Sequence, residues 1–146
     1  MIRNLNKMFM SGLLAILSFS AFAVDTPTSL DGAKVVTAAE VKELMGKGVA
    51  IYDVRIASEF AEEHIKGAVS LPYTEKSKKE VSYDAAADKF DDSKLPAGNM
   101  IFQCNGTDCW KSYKAAKWAI GKGKKSIYWF RGGFPEWKGA NLPVEK

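Results

Sequence analysis

The sequence contains few of the residues that metal centres need. It has one histidine, His64, and two cysteines, Cys104 and Cys109. A structural zinc site takes four ligands, drawn mostly from cysteine and histidine, and His64 is far from the cysteines along the chain. We therefore predict no metal site.

The excess of positive charge is also small. The chain has 21 basic and 17 acidic residues, for a net charge of +4. Without Arg3 and Lys7, in the first 23 residues, 19 basic residues remain and the net charge falls to about +2. Proteins that bind nucleic acid usually carry a strongly basic surface, so we predict no nucleic-acid partner.

No apolar run is long enough to be read as a membrane span, which needs about 20 residues. The longest run, 8–19, follows Arg3 and Lys7 and precedes Ala21-Phe22-Ala23. A positive start, a short apolar core and a small-x-small end are typical of a signal peptide. We predict that residues 1–23 are cleaved after Ala23, leaving a periplasmic or otherwise exported protein with no stable membrane association. The alternative is an uncleaved membrane anchor.

The remainder of the chain predicts one α/β domain, residues 35–146, after a short, loose lead-in at residues 24–34. Apolar runs indicate strands, and segments with helical periodicity lie between them, which is typical of a mainly parallel sheet flanked by helices. Thr37 and Glu40 have the spacing of a capping box that starts a helix. We also predict a short helix capped by Ser58 and a further helix at 83–90. The predicted strands are 35–36, 49–54, 69–72, 100–102 and 126–130.

The stretch 100–120 has the features of a reactive site. The apolar run Met100-Ile101-Phe102 leads to Cys104, then to the polar loop Asn105-Gly106-Thr107-Asp108, and then to Cys109 and a predicted helix. Backbone N–H groups at a helix start carry partial positive charge and favour both a thiolate and an anion bound beside it. Cys104 is therefore the candidate nucleophile.

Several motifs, in this order, resemble those of the rhodanese-like (sulfurtransferase) domain family. They are Asp53-Val54-Arg55, Glu59-Phe60, His64-Ile65-Lys66-Gly67-Ala68 with Leu71-Pro72, Cys104 after a strand, and Gly132-Gly133-Phe134 with Trp137 and Leu142-Pro143-Val144. The resemblance implies a five-stranded, mainly parallel sheet flanked by helices, with a loop that surrounds the catalytic cysteine. A phosphatase built on the same fold would need arginine where Trp110 stands, so we reject that function.

The resemblance implies that Cys104 takes a sulfane sulfur as a persulfide and passes it to a thiol or cyanide, without a metal or organic cofactor. The expected partners are a small sulfur-containing anion and a thiol acceptor, which includes a thiol of a partner protein. The substrate-binding loop would comprise Asn105, Gly106, Thr107, Asp108, Cys109 and Trp110. Many family members have a basic residue in this loop, whereas here Lys111, just beyond it, is the candidate anion contact.

Three interpretations of Cys109 remain open. It resolves the persulfide or a sulfenic acid of Cys104, it forms a structural disulfide that closes the loop, or it is only a small residue at the helix start. Two other functions also remain: a thiol-disulfide redox or sulfur-carrier protein using Cys104 and Cys109, and a non-catalytic binding module. We expect His64 to be structural and Arg55 to belong to an internal charge network.

Overall fold

A computed structural model describes residues 24–80 and 83–146. The predicted signal peptide lies outside these residues. Seven strands and four α-helices are formed in the described part of the chain, together with a short 3-10 helix at Asp92–Lys94. The strands are β1 (Ala33–Val35), β2 (Ala50–Asp53), β3 (His64–Ile65), β4 (Val69–Ser70), β5 (Gly98–Gln103), β6 (Lys125–Phe130) and β7 (Val144–Glu145). The helices are α1 (Ala38–Gly46), α2 (Ala57–Glu62), α3 (Trp110–Gly121) and α4 (Gly133–Gly139).

Five strands form one parallel sheet in the order β1-β6-β5-β2-β4. This confirms the predicted α/β fold with a five-stranded parallel sheet flanked by helices. Strands β3 and β7 pair antiparallel in a separate two-stranded sheet. Strand β5, which leads to Cys104, lies in the centre between β6 and β2 and is therefore covered on both faces.

Alternate residues of the central strands face two apolar clusters. Met100 and Phe102 pack with the α3 residues Ala115 and Ala119 on one face. Ile101 belongs to the cluster on the other face, where α1 and α4 contribute Val41, Phe134 and Trp137 among others. Because side chains alternate along a strand, residues next to each other in β5 enter different clusters.

The start of α1 is formed as predicted. Thr37 is the N-cap: its side chain accepts from the backbone N–H of Glu40, and the Glu40 carboxylate accepts from the N–H of Thr37. Ser58, however, is not the cap of α2. That helix begins at Ala57, and Ile56 occupies its N-cap position without a side-chain hydrogen bond.

The predicted helix at 83–90 is wrong. Residues 85–87 form a turn, and the carboxylate of Asp84 accepts hydrogen bonds from the N–H groups of Ala86 and Ala87. Side-chain bonds of this kind compete with the backbone bonds of a helix. Asp88 is buried, and its carboxylate is also bound by groups outside the segment.

Among the described residues, no helix combines the length and the apolar character needed to cross a membrane. The predicted cleavage and export concern residues outside the described part, and they stay predictions.

Candidate active site

Cys104 lies at the carboxyl end of the central strand of the sheet. It follows Gln103, the last residue of β5, and its side chain is almost fully buried, with 1% of the residue exposed. In open α/β sheets, ligands bind beyond the carboxyl ends of the strands. The topology therefore puts the candidate nucleophile where a site is expected.

Cys104 and Cys109 are joined by a disulfide, with their Cα atoms 6.1 Å apart. This separation lies within the usual range of about 4.4–6.8 Å. The four residues between the cysteines are thus long enough to turn the chain back on itself. Neither cysteine has a free thiol in this state.

Two glycines allow the loop to curl around Cys104. Gly106 has φ +119° and its carbonyl accepts a 3.1 Å hydrogen bond from the N–H of Cys109. Gly133 has φ +57°, and a Cβ there would lie 2.2 Å from the carbonyl oxygen of Cys104. The N–H of Phe134 donates to that same oxygen at 2.9 Å. The Gly132-Gly133-Phe134 motif is therefore a direct support of the cysteine loop.

Residues 24–26, expected to be part of a loose lead-in, are bound to this loop. Both the N–H and the hydroxyl of Thr26 donate to the carbonyl of Thr107, at 2.8 and 2.6 Å. Arg131 donates to the hydroxyl and the carbonyl of Thr26, at 3.1 and 2.7 Å. The indole N–H of Trp110 donates to the carbonyl of Val24 at 2.9 Å. No local pattern in the sequence indicates these contacts.

A pocket of about 230 Å³ opens beside the disulfide. Most of its lining comes from the loop and the start of α3, and the remainder from a segment before residue 80. The lining residues are Glu75, Lys79, Asn105, Asp108, Cys109, Trp110 and Lys111. Four of the six predicted loop residues therefore line this pocket together with Lys111, whereas Gly106 and Thr107 do not. Their roles in binding stay predictions.

Sequence reasoning missed Lys114, a lysine of α3 whose charge would ordinarily indicate a solvated helix face. It is fully buried, and its ammonium lies 2.8 Å from a carboxylate oxygen of Glu75. It also donates to the hydroxyl of Ser77 and the carbonyl of Lys78, at 2.8 and 2.7 Å. The spacing along the helix could have indicated this burial. Lys114 is four residues from both Trp110 and Trp118, so it shares the helix face of these two buried side chains.

Asp88 binds the segment 75–78, which also contacts Lys114. Its carboxylate accepts hydrogen bonds from the Tyr73 hydroxyl and from the N–H groups of Lys76 and Ser77. Burial raises the pKa of Asp88, but these hydrogen bonds outweigh that effect and lower the pKa well below its usual range. Burial, together with the bond to Asp88, raises the pKa of Tyr73. Asp88 therefore stays ionised and fixes the wall of the pocket that contains Glu75.

Arg55 and His64 have structural surroundings. The Arg55 guanidinium forms a buried ion pair with Asp53, donates to the carbonyl of Glu63 and lies 4.3 Å from the ring centroid of Phe134. His64 stacks on the ring of Phe60 and its Nδ1 lies 2.8 Å from the Phe60 carbonyl oxygen. These contacts match the internal network and the structural histidine predicted from the sequence.

Trp129 is a core residue. It is buried and donates to the hydroxyl of Ser112. Trp110 is also mostly buried, but it contributes to the pocket wall. In the described part of the chain, no three or more His, Cys, Asp or Glu side chains are grouped so that they would hold a metal ion.

The fold and the site together define a class of protein. It is an α/β protein with a parallel sheet whose central strand ends in a cysteine surrounded by a loop. The family model of the rhodanese-like domain matches residues 37–140. The chain therefore belongs to the rhodanese-like domain family. No curated protein sequence matches it significantly.

Solved structures share the fold. The BH2092 protein of Bacillus halodurans is 24% identical over 77% of each chain, with a TM-score of 0.57. The Alr3790 protein of Anabaena is 21% identical over 75% of this chain and 90% of its own, with a TM-score of 0.56. A thiosulfate sulfurtransferase of Pseudomonas aeruginosa is 20% identical over 77% of this chain but only 20% of its own, with a TM-score of 0.53. At these identities the likeness concerns the fold.

Proposed function

We propose that this protein is a sulfurtransferase that carries a sulfane sulfur as a persulfide on reduced Cys104. The observation that carries the proposal is the position of Cys104 at the carboxyl end of the central strand, inside a loop supported by Gly133 and Phe134. Membership of the rhodanese-like family supports the same chemistry.

The disulfide must be opened before transfer begins, because the nucleophile in sulfur chemistry is a thiolate. The Cys104 thiolate then attacks the outer sulfur of a donor such as thiosulfate, the S–S bond of the donor breaks, and sulfite leaves. A thiol or cyanide attacks the terminal sulfur of the persulfide and restores the Cys104 thiolate. Two displacements in sequence predict ping-pong kinetics.

Backbone groups of the loop and of α3 would stabilise the negative charge on these sulfurs. Cys109 is the N-cap of α3 and makes no side-chain capping bond, so the first-turn N–H groups have no side-chain acceptor at the cap. The N–H of Cys109 is already bonded to the carbonyl of Gly106. The negative charge on the sulfurs would therefore be stabilised by the other N–H groups of the loop and of the first turn of α3.

Export fits this chemistry. An oxidising compartment allows a disulfide to persist between Cys104 and Cys109 until a reductant arrives. We propose that the protein is processed after Ala23 and acts outside the cytoplasm. Finding the full-length chain as a soluble cytoplasmic species would contradict this part of the proposal.

The experiment is intact-mass spectrometry of the reduced protein after incubation with thiosulfate or a low-molecular-weight persulfide. A gain of about 32 Da, one sulfur atom, is expected, because the reaction passes through a persulfide. Cys104→Ser should show no gain and no turnover, while Cys109→Ser should still gain sulfur. If Cys104→Ser transfers sulfur like the wild type, Cys104 is not the carrier.

A thiol-disulfide redox function is the second candidate, and the Cys104–Cys109 disulfide favours it. This function predicts that the reduced protein loses about 2 Da on transferring electrons to a partner disulfide, without gaining sulfur. The same mass measurement separates the two candidates. If the protein neither gains sulfur nor loses about 2 Da, the result favours a non-catalytic binding module.

A further inference from the structure

The two cysteines of the disulfide are not equally exposed. Cys104 is 1% exposed and does not line the pocket beside the disulfide. Cys109 is partly exposed and is part of the pocket wall. A thiolate that reduces a disulfide must reach one of its sulfurs, and access decides which one is attacked. The pocket therefore favours attack at Cys109.

The charges around the pocket favour an anionic reactant. Lys79 and Lys111 line it, and neither side chain forms an ion pair within 4.0 Å among the described residues. The carboxylate of Glu75 is paired with buried Lys114 at 2.8 Å, and Asp108 supplies one further negative charge. The lining therefore has two lysines and two carboxylates, and Lys114 neutralises one of these carboxylates from the interior. A further carboxylate, that of Glu59, accepts from the side chain of Asn105 at the rim, and the start of α3 adds partial positive charge.

We infer that this pocket receives a small thiol carrying a carboxylate or another anionic group, and that this thiol opens the disulfide by attacking Cys109. The inference rests on the proposed function, because the reaction frees Cys104 for sulfur transfer. It adds the site of attack, the charge class of the reductant and a role for Lys111.

The chemistry balances with two thiols. The first thiolate attacks Cys109 Sγ, the bond between the two cysteines breaks, and Cys104 leaves as a thiolate while a mixed disulfide forms on Cys109. A second thiolate attacks the external sulfur of that mixed disulfide. It releases the oxidised reductant as a disulfide and leaves Cys109 as a thiolate that takes up a proton. Two electrons pass from the two thiols to the protein.

The buried network behind the pocket positions its wall. Lys114 binds Glu75, Ser77 and the carbonyl of Lys78, so it ties the segment that carries Lys79 to α3. Lys111 is one helical turn from Lys114 on the same helix. Lys117 lies further along α3 and does not line the pocket, which makes it a matched control for a change of lysine charge.

The first test locates the mixed disulfide. Oxidised wild-type protein is mixed with limiting 3-mercaptopropionate, quenched in acid within the first turnover, and alkylated. Fragment-ion mass spectrometry then assigns the thiol adduct and the alkyl group to the two cysteines. We expect the adduct on Cys109 and the alkyl group on Cys104. The reverse assignment would overturn the inference.

The second test measures the charge preference. Reduction rates are compared for 3-mercaptopropionate (anionic), 2-mercaptoethanol (neutral) and cysteamine (cationic) at equal thiolate concentration. The anionic thiol should be fastest, and Lys111→Gln should slow it about three- to tenfold, an effect of one nearby charge. Added salt should reduce that difference. Lys117→Gln should change each rate by less than about twofold, since its charge is farther from the pocket.

These outcomes are independent of whether sulfur transfer occurs. If the adduct forms on Cys109 with the expected charge preference but reduced protein gains no sulfur, the inference about the pocket stands and the proposed function falls. If reduced protein gains sulfur but Lys111→Gln and Lys117→Gln slow the anionic thiol equally, the inference falls and the proposed function stands.

Discussion

Gly133 gives the sharpest test of how the cysteine loop is held. In Gly133→Ala the new Cβ would meet the carbonyl oxygen of Cys104 at 2.2 Å, whereas real Cβ contacts are essentially never shorter than 3.0 Å. The loop must therefore retreat by about 0.8 Å. Alanine must also adopt φ +57°, in the left-handed region.

The expected cost follows from these two effects. A left-handed conformation costs an L-residue about 1–2 kcal/mol. Weakening the buried bond from the N–H of Phe134 to the carbonyl of Cys104 adds about 1–2 kcal/mol. The free energy of unfolding should therefore fall by about 2–4 kcal/mol. Because the loop carrying Cys104 shifts, sulfur transfer by the reduced variant should fall about 10- to 100-fold.

The assays are urea unfolding of the oxidised protein and sulfur transfer by the reduced protein, measured where each variant is folded. Gly139→Ala is the matched control in the same helix, because its Cβ would contact nothing within 4 Å and its φ is not positive. It should change stability by less than about 1 kcal/mol. If Gly133→Ala behaves like Gly139→Ala in both assays, the loop does not depend on this close approach.

Three further substitutions test other parts of the site. Cys109→Ala should transfer sulfur but lose its inactivation by oxidants, and activity curves against redox potential that match the wild type would contradict this role. Asp88→Asn should lower the free energy of unfolding by about 2–3 kcal/mol at pH 7. Because hydrogen bonds lower the pKa of Asp88 in the folded state, its stabilisation is present above about pH 4 and is lost as the pH falls below that value. The difference from wild type in urea unfolding should therefore shrink at pH 3, and a constant difference would refute this reasoning. Thr26→Val removes the hydroxyl bonds to Thr107 and Arg131 and should speed amide hydrogen exchange in the loop, whereas unchanged exchange would mean that residue 26 does not hold it.

Much of the framework could be predicted from the sequence because its signals are local. Continuous apolar runs mark central parallel strands, which are buried on both faces, and the capping box of Thr37 and Glu40 marks the start of α1. The position of Cys104 after an apolar run identified the end of β5 and the candidate nucleophile. The ordered motifs around these elements then indicated the family.

Local signals failed where two interpretations fit the same residues. The segment 83–90 has no strong turn pattern, yet Asp84 and Asp88 use their carboxylates in bonds that displace a helix. Lys114 carries a charge that usually indicates a solvated face, but Glu75 and Ser77 neutralise and bind it in the interior. A charge is buried only where partners are supplied, and those partners lie more than 35 residues earlier in the chain.

The sequence by itself determined the strands of the main sheet, the capped start of α1 and which cysteine ends the central strand, since periodicity, caps and breakers act over a few residues. Only the tertiary structure decided that Cys104 and Cys109 approach closely enough to bond, that residues 24–26 contact the loop, and that Cys109 rather than Cys104 lines the pocket. Thr26 and Thr107 are 81 residues apart, and Thr26 and Arg131 are 105 apart. Such contacts depend on how the strands order themselves in the sheet, and no local pattern of residues encodes that order.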